Sequence, residues 1–127
     1  MKELFTGIYT KFSNDGDLSG VVTGMYFTEA PQDAVMPYVV YNLVSNVGDW
    51  TYTESMENSL IQFSIFDDHS SSVTINDIYE KLKTCYDWEI LTVTGYNFIY
   101  MKREFSNLTR MNDIWNYAVQ FRTEVQK

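Results

Sequence analysis

Three consecutive side chains, Asp67, Asp68 and His69, could do chemistry together, and three serines follow them. Carboxylates and imidazoles bind metals, and serine, histidine and aspartate together form hydrolytic triads. Triads, however, are assembled from distant parts of a chain, and consecutive loop residues rarely converge on one point. His69 is also the only histidine. We therefore expect a solvated polar turn that caps the following helix, rather than a catalytic or metal site.

The other reactive groups favour packing or solvation. Cys85 is the only cysteine and lies beside Leu82 and Tyr86 in a helical pattern, so we expect a buried thiol that behaves as a small hydrophobe. One cysteine excludes a disulfide framework, and with one histidine it excludes a His/Cys metal cage within the chain. Glu54 and Glu57 lie on a polar stretch, where solvated charge is expected. No phosphate-binding glycine motif occurs. We expect neither an enzyme nor a bound cofactor or metal.

The length and composition indicate a chain that can bury a hydrophobic core. Its 127 residues, 45% of them hydrophobic and 20% charged, suit one domain spanning residues 1–127. Aromatic residues reach 17%, an excess that suits broad packing surfaces or interfaces. No apolar run approaches the about 18 residues of a membrane span. The first residues include Glu3 and lack the apolar stretch of a secretory signal, so we expect synthesis in the cytoplasm.

The net charge of −8 opposes binding to the phosphate backbone and to an anionic membrane. Four basic residues still gather in the C-terminal half, and with exposed aromatics they could bind nucleic acid. Nine basic residues stand against seventeen acidic ones, which favours contact with a neighbouring subunit or plain solvation. We expect no sequence-specific nucleic-acid binding and no membrane partner. The four basic residues are Lys102, Arg103, Arg110 and Arg122.

Apolar periodicity predicts two helices. The first covers residues 2–13, and a Ser-Asn-Asp-Gly turn at 13–16 ends it. The second follows the serines and ends near residue 86. Its buried stripe consists of Ile75, Ile78, Tyr79, Leu82 and Tyr86.

Alternation and β-branched content predict the strands. Residues 45–58 are polar with isolated aromatics and predict a long loop or a protruding hairpin, whereas residues 106–114 predict a polar loop. The order of elements predicts a two-layer α+β fold, with a mostly antiparallel sheet of about four to five strands and two helices packed on one face. The predicted strands are 38–44, 59–66, 89–94, 97–105 and 115–125, with a short one at 25–27.

In their order and spacing, four features resemble the small tail-completion proteins of tailed bacteriophages and prophages, which are related to tail terminators of the lambda type. The resemblance covers nearly the whole chain and depends on no single motif. The features are an amphipathic opening helix from Leu4 to Phe12, a Pro-Tyr-Val-Val step at 37–40, a strand ending in Phe66-Asp67-Asp68 before serines and a helix at 71–86, and a closing strand of alternating aromatics at 115–125.

The resemblance implies a non-enzymatic structural protein without catalytic residues. Its copies would form a ring, commonly of six, that caps the tail tube and presents the surface to which the filled head docks. The implied partners are other copies, the major tail tube protein and head–tail connector proteins, and the implied location is the virion at the head–tail joint. The alternatives are a head-side stopper or adaptor of the connector, a non-viral protein-binding module that uses an open sheet edge, and a small enzyme built on the Asp67–His69 turn.

A ring needs interfaces and a channel, and large apolar or charged residues are the candidates for both. The aromatics near residue 50 either form a contact surface or fold back onto their own sheet. An acidic channel would repel DNA and let it slide through, which predicts that some of Asp49, Glu54 and Glu57 line it. The full set of interface or lumen candidates is Asp49, Trp50, Tyr52, Glu54, Met56, Glu57, Arg110 and Arg122.

Overall fold

The structure is a computed structural model that describes residues 2–50 and 55–127, without the side chains of Asp49, Trp50 and Ser55. Helices and strands follow one another in the order expected for an α+β fold, and that fold class is confirmed. The elements are α1 (Lys2–Asn14), α2 (Gly16–Ser19), β1 (Met25–Phe27), β2 (Tyr38–Trp50), β3 (Ser55–Asp67), α3 (Val73–Tyr86), β4 (Asn97–Met111) and β5 (Ile114–Gln126).

The five strands form one mixed sheet in the order β1-β2-β3-β5-β4. Only the β1–β2 pair is parallel, and the other three pairs are antiparallel. The predicted mostly antiparallel sheet is therefore confirmed. Because β5 lies between β3 and β4, the α3 connection carries the chain across β5 before it returns as a hairpin.

One face of the sheet and the helices share a single hydrophobic core. Phe63 of β3 lies at its centre, with ring centroids 6.0 Å from Tyr41, 4.7 Å from Tyr86 and 5.5 Å from Phe121. The Tyr86 hydroxyl donates a hydrogen bond of 2.8 Å to the carbonyl oxygen of Ile8. This bond joins α3 to α1 inside the core, so both long helices pack against the same sheet face.

The stretch of residues 45–58 is a hairpin, the second of the two expected alternatives. β2 and β3 pair from Tyr38 with Phe66 out to Trp50 with Ser55. Both strands are therefore longer than their predicted segments. Residues 51–54 lie outside the described part of the chain.

Two sequence predictions were wrong. Residues 89–94 form no strand: Leu91 and Val93 are buried in the core, but the segment packs beside α1 instead of joining the sheet. A Cβ atom on Gly7 would lie 2.6 Å from the Thr92 carbonyl oxygen, so this close approach needs glycine. Alternation correctly indicated which side chains are buried, but burial does not require strand pairing.

The predicted loop at 106–114 is the second error. β4 continues to Met111, and a two-residue turn of Asn112 and Asp113 leads directly into β5. Both turn residues have positive φ, 53° and 64°, as tight β-hairpins require and as asparagine and aspartate tolerate. The polar composition of this segment reflects exposure at the sheet edge rather than a loop.

None of the described helices is both long and apolar enough to cross a membrane.

Candidate functional site

The acidic turn after β3 brings its three side chains together. One potential metal-ligand atom from each of Asp67, Asp68 and His69 lies within 4.8 Å of the others. The expectation that these side chains would not converge was therefore wrong. Asp67 is completely buried rather than solvated, and its Oδ1 atom lies 2.5 Å from His69 Nδ1. The contact lies at the start of the connection between β3 and α3.

The electrostatics of this turn centre on His69. The hydrogen bond to Asp67 and its negative charge raise the pKa of His69 above its usual value. The Oδ2 atom of Asp67 is buried and has no hydrogen-bond partner among the described residues. No serine hydroxyl in the described part of the chain is hydrogen-bonded to His69, so a nucleophile–base contact is missing.

The helix cap differs from the expectation in its detail. The Ser71 hydroxyl accepts the Val73 N–H at 3.2 Å, whereas Ser72 occupies the N-cap position without a side-chain capping bond. The serines therefore serve the start of α3, as predicted, but through Ser71.

Arg110 fastens the acidic turn to the β4–β5 hairpin. Its guanidinium donates to the carbonyl oxygen of His69 at 3.2 Å and lies 4.6 Å from the ring centroid of Trp115. The Trp115 indole N–H donates to the same carbonyl at 3.0 Å. Arg110, an interface candidate from the sequence, thus has a structural task within its own chain.

Arg122 is held on the sheet face that the helices leave uncovered. It lies 2.9 Å from Glu104 Oε2 and donates to Asn58 Oδ1 at 2.9 Å. One row further along this face, Gln120 donates to Gln62 at 3.0 Å. The middle of the uncovered face is therefore polar and internally hydrogen-bonded. Sequence reasoning missed Glu104, because its contact with Arg122 depends on the pairing of β4 with β5.

The other interface candidates lie in β2 and β3 or among the residues that the structure does not describe. Met56 and Glu57 belong to β3 and are partly buried. Glu57 pairs with Val125, and its Oε2 atom has no partner among the described residues. Asp49 and Trp50 belong to β2 by backbone, with undescribed side chains. The remaining two candidates, Tyr52 and Glu54, lie outside the described residues.

Cys85 is buried, as predicted. Burial raises its pKa to about 12, and Asp15 contributes in the same direction. The thiol is therefore protonated at neutral pH, and a protonated thiol is a weak nucleophile.

Each edge of the sheet is covered over a short stretch only. β1 covers the outer edge of β2 only at residues 39–41. On β4, the Trp88 N–H bonds to the Met101 carbonyl at 2.7 Å and the Arg103 N–H to Asp87 Oδ1 at 2.8 Å. In the described structure, the outer edges at residues 45–50 of β2 and 105–111 of β4 have no backbone partner.

Comparison with known proteins finds similarity at the level of structure. No protein-family model matches the chain, and no curated protein sequence matches it. A chain from the virion of a native gene transfer agent particle superposes with a TM-score of 0.82 at 16% identity, covering 96% of this chain and 93% of that one. The gp17 protein of bacteriophage SPP1 superposes with a TM-score of 0.63 at 16% identity, covering 95% of this chain and 86% of that one. This chain shares their fold.

Proposed function

We propose that this chain is a non-enzymatic structural protein of a phage-type particle, which caps the tail tube as a ring and provides the surface for head–tail joining. The observation that carries the proposal is the superposition over almost the full length of both chains with a virion protein. The order of elements in the sequence independently resembles tail-completion proteins. Its partners would be further copies, the major tail tube protein and the head–tail connector, in the virion at the head–tail joint.

The open sheet edges support a ring. A closed ring needs two different complementary surfaces on every copy, and unpaired strand edges are ready-made joining surfaces. The described structure has one such edge on each side of its sheet. Six copies is the number implied by the sequence resemblance.

The net charge of −8 supports an inner surface that DNA passes without adhering, because like charges repel. Some of Asp49, Glu54 and Glu57 would line this surface. The triple variant Asp49→Asn, Glu54→Gln, Glu57→Gln should change how firmly assembled particles retain DNA or how fast they eject it. Wild-type retention and ejection in that variant would remove the acidic channel from the proposal.

Mass in solution tests the capping role. Light scattering would be measured on the purified chain alone and after mixing with purified tail tubes of the particle whose genome encodes it. A discrete ring, or a monomer that binds only the tube ends, is the expected result. A monomer indifferent to tubes would contradict tail capping and favour a head-side stopper, an adaptor or a non-viral binding module.

A further inference from the structure

We infer that neighbouring copies join through two particular half-edges, the outer edge of β2 at residues 45–50 and the outer edge of β4 at residues 105–111. The occupant of each half-edge is the opposite half-edge of another copy of this chain. The inference rests on the proposed ring and specifies its joint.

Part of each outer edge is already paired within the chain and cannot join another copy. β1 occupies β2 through the Val39 N–H bond to Gly24 at 3.0 Å and the Thr28 N–H bond to Tyr41 at 2.9 Å. On β4, the Trp88 N–H donates to the Met101 carbonyl and the Asp87 carboxylate accepts the Arg103 N–H. Register shifts lie beside the covered stretches, between residues 43 and 45 on β2 and, on β4, between residues 98 and 100 and between residues 103 and 105.

The free halves lack the usual protection of an edge strand. Proteins guard exposed edges with lysine, proline or inward charges, since a bare apolar edge pairs with other chains. The segment 45–50 contains no lysine, arginine or proline, and Val47 is 58% exposed. On the other edge, Phe105 is 51% and Met111 75% exposed. Exposed apolar side chains on an unpaired strand edge favour pairing with another strand.

A second copy fits these edges in direction and length. β2 and β4 run antiparallel within one sheet, so β4 of the next copy would continue the antiparallel order beside β2. The two free segments are of similar length.

The positions of the free halves favour joining unlike edges. Across the sheet, Val47 in the middle of one free segment is level with Asn58 and Glu124. Leu108, in the middle of the other free segment, is level with Tyr117. Along β5 these rows are seven residues apart, about 23 Å, while four strands make a width of about 19 Å. Copies joined edge to edge without axial rise would therefore have strands that lean about 50° from the ring axis. That is near the 35–45° at which strands of closed barrels lean.

Pairing like edges would have a different outcome. A two-fold contact between two β2 edges would satisfy one half-edge of each copy and leave both β4 half-edges bare. Joining β2 to β4 covers both segments in every copy of a closed ring.

Cysteine cross-linking tests the joint. Val47→Cys would be mixed in turn with Phe105→Cys, Asn107→Cys and Thr109→Cys, with the wild-type chain and tail tubes added to drive assembly. At least one mixture should give a cross-linked dimer upon oxidation, while each single variant alone stays uncross-linked. Self-cross-linking of Val47→Cys would indicate two-fold pairing of like edges and overturn the inference.

A charge placed on the edge gives a second test. Val47→Lys should lower the amount of assembled chain on tube ends about tenfold or more, because an edge lysine opposes strand pairing. Val73→Lys is the matched control: Val73 is 73% exposed, at the start of α3 and away from both edges. It should change assembly less than about twofold, and unfolding measurements would show that both variants fold.

The outcomes separate the joint from the ring. If the wild-type chain assembles on tube ends and Val47→Lys assembles equally well, the joint is wrong while the capping role stands. If the wild-type chain neither self-associates nor binds tubes, the capping role and the joint fail together.

Discussion

The Nδ1 atom of His69 lies 2.5 Å from the Oδ1 atom of Asp67, and this contact joins an exposed titratable ring to a completely buried carboxylate. The imidazole is 54% exposed and the Asp67 side chain 0% exposed. An unaccompanied buried carboxylate is costly. The His69 imidazole and the backbone N–H of the same residue are therefore the partners that make this burial tolerable.

The first prediction is a pH dependence of stability that depends on His69. Its hydrogen bond to Asp67 raises the folded-state pKa above the unfolded value of about 6.5. The resulting stabilisation is fully present below about pH 6.5 and is lost as pH rises through the folded-state pKa. Urea unfolding across this window should show wild type losing stability relative to His69→Gln. Parallel pH profiles for the two proteins would contradict the coupling, and an NMR titration of the single histidine provides a direct check.

The second prediction concerns the Arg110 contact with the acidic turn. Arg110→Ala removes the stacking on Trp115 and the bond to the His69 carbonyl. We expect the free energy of unfolding to fall by about 1 kcal/mol. Arg110→Lys keeps the charge but not the planar stacked group, so it should recover only part of the loss. Full stability of Arg110→Ala in urea unfolding would show that the contact contributes nothing.

The third prediction addresses the approach of α1 to the segment at Thr92. Gly7→Ala places a Cβ atom 2.6 Å from a backbone oxygen, which cannot be relieved by rotating a side chain. The substitution should lower the free energy of unfolding by about 1–3 kcal/mol. Gly16→Ala is the control, because nothing lies within 4 Å of its added Cβ. Equal stability of the two variants would contradict the close approach.

The fourth prediction is that Cys85 does not react in the folded protein. Burial raises the pKa of its thiol to about 12, so very little thiolate is present at pH 8. Labelling with iodoacetamide at pH 8 should be slow in buffer and fast in denaturing urea. Comparable labelling rates in both solutions would show that the thiol is accessible and activated.

Most of the secondary structure could be predicted from local sequence patterns. α1, α3 and the strands containing residues 38–44, 59–66 and 115–125 were predicted because helical and alternating periodicities depend only on neighbouring residues. Val119, Phe121 and Val125 are buried on one face, as that alternation predicted.

The two errors occurred where the hydrophobic pattern of the side chains does not match the pairing of the backbone into strands. Residues 89–94 alternate like a strand because Leu91 and Val93 point into the core, but no neighbouring strand pairs with them. The polar segment at 106–111 lacks an apolar pattern because it forms the edge of the sheet, and still it pairs along its whole length with β5. Side-chain type reports on burial, whereas strand pairing is decided by backbone groups that every sequence has.

By itself, the sequence determined the fold class, the placement of the long helices and most strands, and the burial of Cys85. Only the tertiary structure decided the strand order, the convergence of Asp67 with His69, the partners of Arg110 and Arg122, and which half of each edge is free. The physical reason is distance along the chain. Arg110 and Trp115 donate to the carbonyl oxygen of His69, more than forty residues earlier in the chain. A contact across such a separation produces no periodic pattern in the sequence.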